Sequence, residues 1–280
     1  MSDHAAIIES IAAAFAQERA VPYLGPEVLA ADAPVPRNAQ ALVAAITAKS
    51  AVPHKLKNKL AGAAQYIENF KHRKTINALI TEQFGKRCPP AAVHALIARL
   101  APPLVVDVWY DDALLNAFEG APDWGCVQGV SQAEHHGEWV AYYQPDGTLV
   151  PAEAADAWGT LVYKPIGCVR PARNYIVSDS DYVEVLTEID IQTPIPPRVQ
   201  ALRSGRAFVF IGCRFSDQLE RSYARQVMKR SSAAHWAVIE GPLTRNEAKF
   251  IDEQGITRID MPTAEFVAAL EAALDVALDA

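Results

Sequence analysis

The chain has 280 residues, half of them hydrophobic, and a formal net charge of -7. This composition excludes intrinsic disorder, which needs low hydrophobicity and high charge, and an acidic chain does not bind nucleic acid through its overall field. No apolar run reaches the roughly 18–20 residues of a bilayer-crossing helix, and Met1-Ser2-Asp3-His4 lacks the basic flank and apolar stretch of a signal peptide. A cytoplasmic protein without membrane or nucleic-acid partners is expected.

In chain order, Ile8, Ile11, Ala12 and Phe15 give residues 3–19 the stripe of an amphipathic helix. Val21-Pro22-Tyr23-Leu24 reads as a strand closed by Gly25-Pro26. Residues 30–37 read as a loop, and 38–100 as three or four helices with no strand. Leu104 to Trp109 is a short apolar run that suits a buried strand, followed by Asp111-Asp112 and a helix through Phe118. Residues 120–159 look irregular, with one hairpin around Pro145-Asp146-Gly147. Thr160–Lys164 is a further strand and 178–189 a helix opened by Ser178 and Asp179. Ala-Phe-Val-Phe-Ile at 207–211 is the clearest buried strand, ended by Gly212 and followed by a helix to about Arg230. Trp236–Ile239 and Thr257–Asp260 read as two more strands. Thr263 then opens a last helix.

Strands alternating with helices predict an α/β fold: one Rossmann-like domain over 1–280, its mainly parallel sheet flanked by helices. The stretch 38–100 would be an all-helical insertion after the first strand, and 120–159 an irregular segment with a hairpin. Ligands of such sheets bind at the carboxyl ends of the strands. Attention therefore falls on the turns 25–29, 109–112, 164–168 and 212–217.

Five stretches around these turns resemble the sirtuin-like domain family, in its broad prokaryotic branch of nicotinamide-dinucleotide-dependent hydrolases. They are Val21 to Leu29, Trp109 to Phe118, Val162 to Gly167, Ser178 to Tyr182 and Phe208 to Asp217. The resemblance runs from about residue 20 to 230. It implies a site for nicotinamide adenine dinucleotide (NAD) or ADP-ribose. The implied cofactor-binding residues are Gly25, Glu27, Tyr110, Asp111, Lys164, Gly167, Gly212, Ser216 and Asp217. His94 suits the family's helix before the second strand, although a buried helix histidine is the simpler account.

The departures from the family's pattern carry more information than the matches. Its Gly-Ala-Gly turn is Gly25-Pro26-Glu27 here; Pro26 removes an N–H donor, and Glu27 brings a carboxylate towards the diphosphate position. Its active-site asparagine is Trp109, whose indole has a donor and no acceptor. Its catalytic histidine is Ile166, which moves no proton; loss of a positioned base costs about 10²–10⁴-fold in rate. The resemblance therefore implies a pseudoenzyme that senses a nucleotide or binds a protein. The alternatives are an active NAD-hydrolysing enzyme with relocated groups and an interaction protein with a filled cleft.

His135-His136 reads better as two solvated loop histidines, and Asp111-Asp112 as a helix start favoured by the dipole. Cys88, Cys126, Cys168 and Cys213 have no close pair, so free thiols and no metal site are expected. Arg203, Arg206, Arg214, Arg221, Arg225, Lys229 and Arg230 make a basic stretch. On the helix there, Arg221, Arg225 and Lys229 line one side opposite Leu219, Tyr223 and Val227. This is a solvated face first and a docking site for an acidic protein partner second. Trp124, Trp139 and Trp158 would form a satellite core or roof the cleft.

Overall fold

The computed structural model describes residues 2–133, 137–191 and 195–278. The elements run α1 (Ser2–Ala16), β1 (Ala20–Leu24), α2 (Ala39–Lys49), α3 (Leu60–Lys71), α4 (Arg73–Phe84), α5 (Ala92–Leu100), β2 (Leu104–Asp107), α6 (Ala113–Ala117), β3 (Trp124–Gly129), β4 (Val140–Tyr143) and β5 (Leu149–Val150). They continue with β6 (Thr160–Lys164), β7 (Gly167–Cys168), β8 (Asn174–Tyr175), α7 (Asp179–Ile191), α8 (Pro197–Arg203), β9 (Ala207–Ile211), α9 (Gln218–Met228), β10 (His235–Val238), α10 (Arg245–Glu253), β11 (Ile256–Ile259) and α11 (Thr263–Leu278).

Among the described residues, nine strands form one sheet in the order β11-β10-β9-β1-β2-β6-β3-β4-β5. Pairing is parallel from β11 to β3 and antiparallel at β3–β4 and β4–β5. This is the Rossmann-like, mainly parallel sheet that the alternation of elements predicts. The chain order reverses beside β1: β2 and β6 lie on one side, β9, β10 and β11 on the other.

The central strands are largely apolar because both faces are covered, with the paired Asp107 and Lys164 at the ends of β2 and β6. Val21, Tyr23, Val106, Phe208 and Phe210 pack into one core, and Ala20, Leu24, Val105, Val209 and Ile211 into the other. The period-2 alternation of side chains thus divides one apolar run between two layers. On the first face lie α2, α3, α4, α9 and α10; on the second lie α1, α5, α6 and α11. The helical stretch between β1 and β2 is accordingly split. The helices α2 to α4 roof the first face, while α5 is the crossover helix on the second.

The expectation of an irregular segment over 120–159 needs correction at Trp124–Gly129. This segment is β3, buried throughout and parallel to β6. Its two glycines hide the strand pattern, and each answers a close approach. A Cβ on Gly125 would lie 2.2 Å from the Trp158 ring, and one on Gly129 would lie 2.0 Å from the Pro165 carbonyl. The hairpin around Pro145-Asp146-Gly147 is present as β4–β5. The helices α8 and α10 and the small β7–β8 pair were not among the predicted elements. No described helix is long and apolar enough to cross a membrane.

Candidate functional site

A cavity of about 340 Å3 opens where the carboxyl ends of β1, β2, β6 and β9 meet, at the reversal of strand order. Open α/β sheets bind their ligands at this place because neighbouring loops diverge there and leave a crevice. The turns singled out in the sequence contribute Pro26 and Glu27, Trp109 and Tyr110, Ile166, and Gly212 to Ser216. The starts of α2, α3, α9 and α10 close the remaining walls with Asn38, Leu60, Glu220 and Glu247, and Tyr182 of α7 joins them.

The inner wall is aromatic, and its rings are fixed. The Trp109 indole donates to the Pro36 carbonyl at 2.8 Å and stacks at an angle with Tyr110 and Phe84. The Tyr110 hydroxyl donates to the Ile176 carbonyl at 2.8 Å, and the Tyr223 hydroxyl to the Pro165 carbonyl at 3.3 Å. Tyr23 packs on Phe210. Burial pushes the phenols of Tyr23, Tyr110, Tyr182 and Tyr223 up, so they stay neutral at physiological pH. Ile166 and Trp109 are 6% and 5% exposed, and both face the cavity.

The glycine turn after β1 is closed against the turn after β9. The Gly25 N–H donates to the Ile211 carbonyl at 2.9 Å, and the Glu27 N–H to the Gly212 carbonyl at 3.2 Å. Pro26 has no N–H, and the Val28 and Leu29 N–H groups close a short 3-10 turn over Pro26–Val28. Gly25 and Gly212 are small because the two backbones touch. A Cβ on Gly25 would lie 2.3 Å from the Gly212 carbonyl oxygen.

Of the helix starts at the cavity, those of α2, α9 and α10 are met by the protein's own oxygens, whereas α3, with Lys59 at its N-cap, has no side-chain cap. Asn38 Oδ1 accepts from Ala41 N at 2.8 Å to cap α2. Glu220 closes a capping box with Asp217 on α9, and Glu247 does the same with Thr244 on α10. Both boxes are legible as Asp217-x-x-Glu220 and Thr244-x-x-Glu247, a signal the reading of the turns overlooked. Glu247 is 1% exposed, and its Oε1 meets the Arg214 guanidinium at 3.2 Å without a hydrogen bond. Glu220 keeps accessible surface but sits inside the recess, and desolvation raises its carboxyl to about 7. Glu27 lines the cavity as well; desolvation raises it, with Arg214 and Arg37 pulling the other way.

Of the residues expected to hold a cofactor, Glu27, Tyr110, Gly212 and Ser216 line the cavity. The other five lie elsewhere. Gly25 is wedged behind the turn. Lys164 is fully buried, donating to Asp107 Oδ2 at 2.7 Å and to the Asp111 carbonyl at 3.0 Å. Burial pulls this ammonium down, but Asp107 and its neighbours outweigh that and hold Lys164 charged. Asp111 Oδ1 accepts from Ala113 N at 2.8 Å and so caps α6. Gly167, at φ +88, abuts Asn174, and Asp217 caps α9.

Among the described residues, the alternative thiols are not activated. Burial raises the thiols of Cys168, to about 11, and of Cys213. His94 is buried in α5, accepts from Ala91 N at 3.0 Å and is lowered to about 4 by desolvation. His135 and His136 lie outside the described residues. Among the described residues no group of three or more His, Cys, Asp or Glu side chains is placed to hold a metal ion. The three tryptophans of the middle segment do not form one cluster. Trp124 packs on Phe118 in one core, and Trp158 joins the other, with Trp139 at its edge.

The basic stretch on either side of β9 is largely engaged within the fold. Arg203 donates to the Gln226 and Val227 carbonyls at the end of α9, and Arg221 to the Phe215 and Ser216 carbonyls. Arg214 donates to the Glu240 and Pro242 carbonyls, and Arg206 to the Glu18 carbonyl. Arg225 pairs with Glu253 and lies over the Phe250 ring.

A dinucleotide requires free N–H groups, or the positive end of a helix, for its diphosphate. In the β1 turn those N–H groups are bonded within the fold, and Glu27 stands beside them. The chain's residues therefore do not fit a diphosphate at that turn.

A family model described as "SIR2-like domain" matches residues 103–259, more than half of the chain. No curated protein matches. A solved structure from work on the mechanism and regulation of Sir2 enzymes is similar at 13% identity with a TM-score of 0.45, covering 98% of this chain and 99% of that one. By the family match, this chain belongs to the SIR2-like domain family.

Proposed function

We propose that this chain is a SIR2-like domain that binds a ligand in the family's cavity without breaking a glycosidic bond. One observation carries the reading. Trp109 and Ile166, which stand at the family's asparagine and histidine positions, both line the cavity at the strand-order reversal. An isoleucine and a buried indole whose N–H is already engaged have no proton to move and no lone pair to orient a water. NAD and ADP-ribose stay the family's expected ligands, and the closed β1 turn weighs against both.

An active hydrolase with relocated groups has less support, since Asp111 caps a helix and the cysteine thiols are raised. A filled cleft is disfavoured by the open volume. Docking of an acidic protein at Arg221, Arg225 and Lys229 is disfavoured by the internal partners of Arg221 and Arg225. The test is incubation of the pure protein with oxidised dinucleotide, with free nicotinamide followed by chromatography. No release above the protein-free rate is expected; brisk release would overturn the reading.

A further inference from the structure

We propose that the cavity takes a small organic cation, an aryl or alkyl ammonium, held between carboxylates and aromatic walls. The inference rests on the binding reading above and names the ligand class of that same site. The volume of this open recess, its aromatic walls and the charges that line it each contribute.

First, the cavity is the right size and chemistry for a small organic ligand: about 340 Å3, floored by the rings of Tyr23, Trp109 and Tyr110. Pockets of this kind bind through apolar contact, with a few polar groups setting orientation. Aromatic faces attract a cation through the ring quadrupole.

Second, the sign of the charge is set. Glu27, Glu220 and Glu247 face the cavity against one lining cation, Arg214. Arg214 is itself committed to Glu247 and to the Glu240 and Pro242 carbonyls. Glu247 Oε1 is buried without a hydrogen bond. Three of the helix starts at the cavity, those of α2, α9 and α10, are already capped by the protein's own oxygens. With Glu247 paired to Arg214, Glu27 and Glu220 leave the lining with an excess of carboxylate, which attracts an entering ammonium and repels an entering phosphate or carboxylate.

The test uses three probes of one shape and different charge: 2-phenylethylamine, phenylacetamide and phenylacetate. Each is titrated calorimetrically into the full chain at mildly alkaline pH, with ADP-ribose as a fourth ligand. The amine should bind at least about tenfold more tightly than the amide, with the acetate weakest. Glu27→Gln should weaken the amine about tenfold and leave the amide unchanged. Glu220→Gln should act likewise; because Glu220 also caps α9, the Glu27 variant decides if that one unfolds. The proposal falls if the amine gives no heat, if phenylacetate or ADP-ribose binds as tightly as the amine, or if Glu27→Gln leaves amine affinity unchanged. Nicotinamide release from the dinucleotide would instead refute the binding reading, and the charge series would still report separately on the cavity.

Discussion

Gly25 and Gly212 meet backbone to backbone at the head of the sheet: the Glu27 N–H donates to the Gly212 carbonyl, and neither glycine has room for a Cβ. This contact joins the turns of two adjacent strands, β1 and β9, and engages the N–H groups of Gly25 and Glu27. Gly25→Ala and Gly212→Ala should each cost about 1–3 kcal/mol in urea unfolding. Gly212 also has φ +70, which disfavours any side chain. Gly120, at φ +84 with nothing within 4 Å of a Cβ, is the control; alanine there should cost only about 1 kcal/mol. Equal costs at all three sites would show that the close contact has no energetic weight.

The Asp107–Lys164 pair anchors β2 to β6 beneath the cavity, with both side chains buried. Lys164→Met leaves the carboxylate without its partner and should destabilise the fold by about 3–5 kcal/mol. Adding Asp107→Asn should recover part of that loss, because the orphaned charge disappears with it. Chemical denaturation of the two single variants and the double variant measures the coupling. Strict additivity would contradict the pairing.

Under the proposed reading, placing asparagine at 109 and histidine at 166, as the resemblance expects, should not by itself create chemistry. The double variant Trp109→Asn, Ile166→His is expected to release no nicotinamide from the oxidised dinucleotide, because Glu27 and the engaged N–H groups still close the β1 turn. Release by this double variant would show that the turn is no obstacle.

His94 gives a pH signature. Desolvation lowers it from its ordinary 6.5 to about 4, so the folded chain keeps it neutral. Above pH 6.5 neither state is charged there, and its contribution to stability is complete. As the pH falls from 6.5 to about 4, the unfolded chain takes up a proton that the folded chain does not, and stability declines through that window. His94→Gln should start lower by about 1 kcal/mol, through loss of the bond to Ala91 N, and should decline less steeply with acid. Parallel pH profiles of urea midpoints for the two proteins would exclude this role.

The sequence by itself determined the layers. An apolar run buried on both faces is a parallel central strand whatever surrounds it, and Val21 to Leu24, Leu104 to Asp107 and Ala207 to Ile211 could be read directly because side-chain polarity is a local property. The strand Trp124–Gly129 was hidden because its glycines answer contacts from Trp158 and Pro165, residues distant along the chain. The same limit applied at the site. From the chain, Pro26, Glu27, Trp109 and Ile166 could be placed in the turns that follow strands, and all four line the cavity. Only the tertiary structure decided that the β1 turn donates its N–H groups to β9, that Lys164 lies beneath the cavity, and that Glu220 and Glu247 reach it from two helix starts. Hydrogen-bond partners and the sign of a cavity's charge depend on which groups converge in space, and that convergence is a property of the packed sheet.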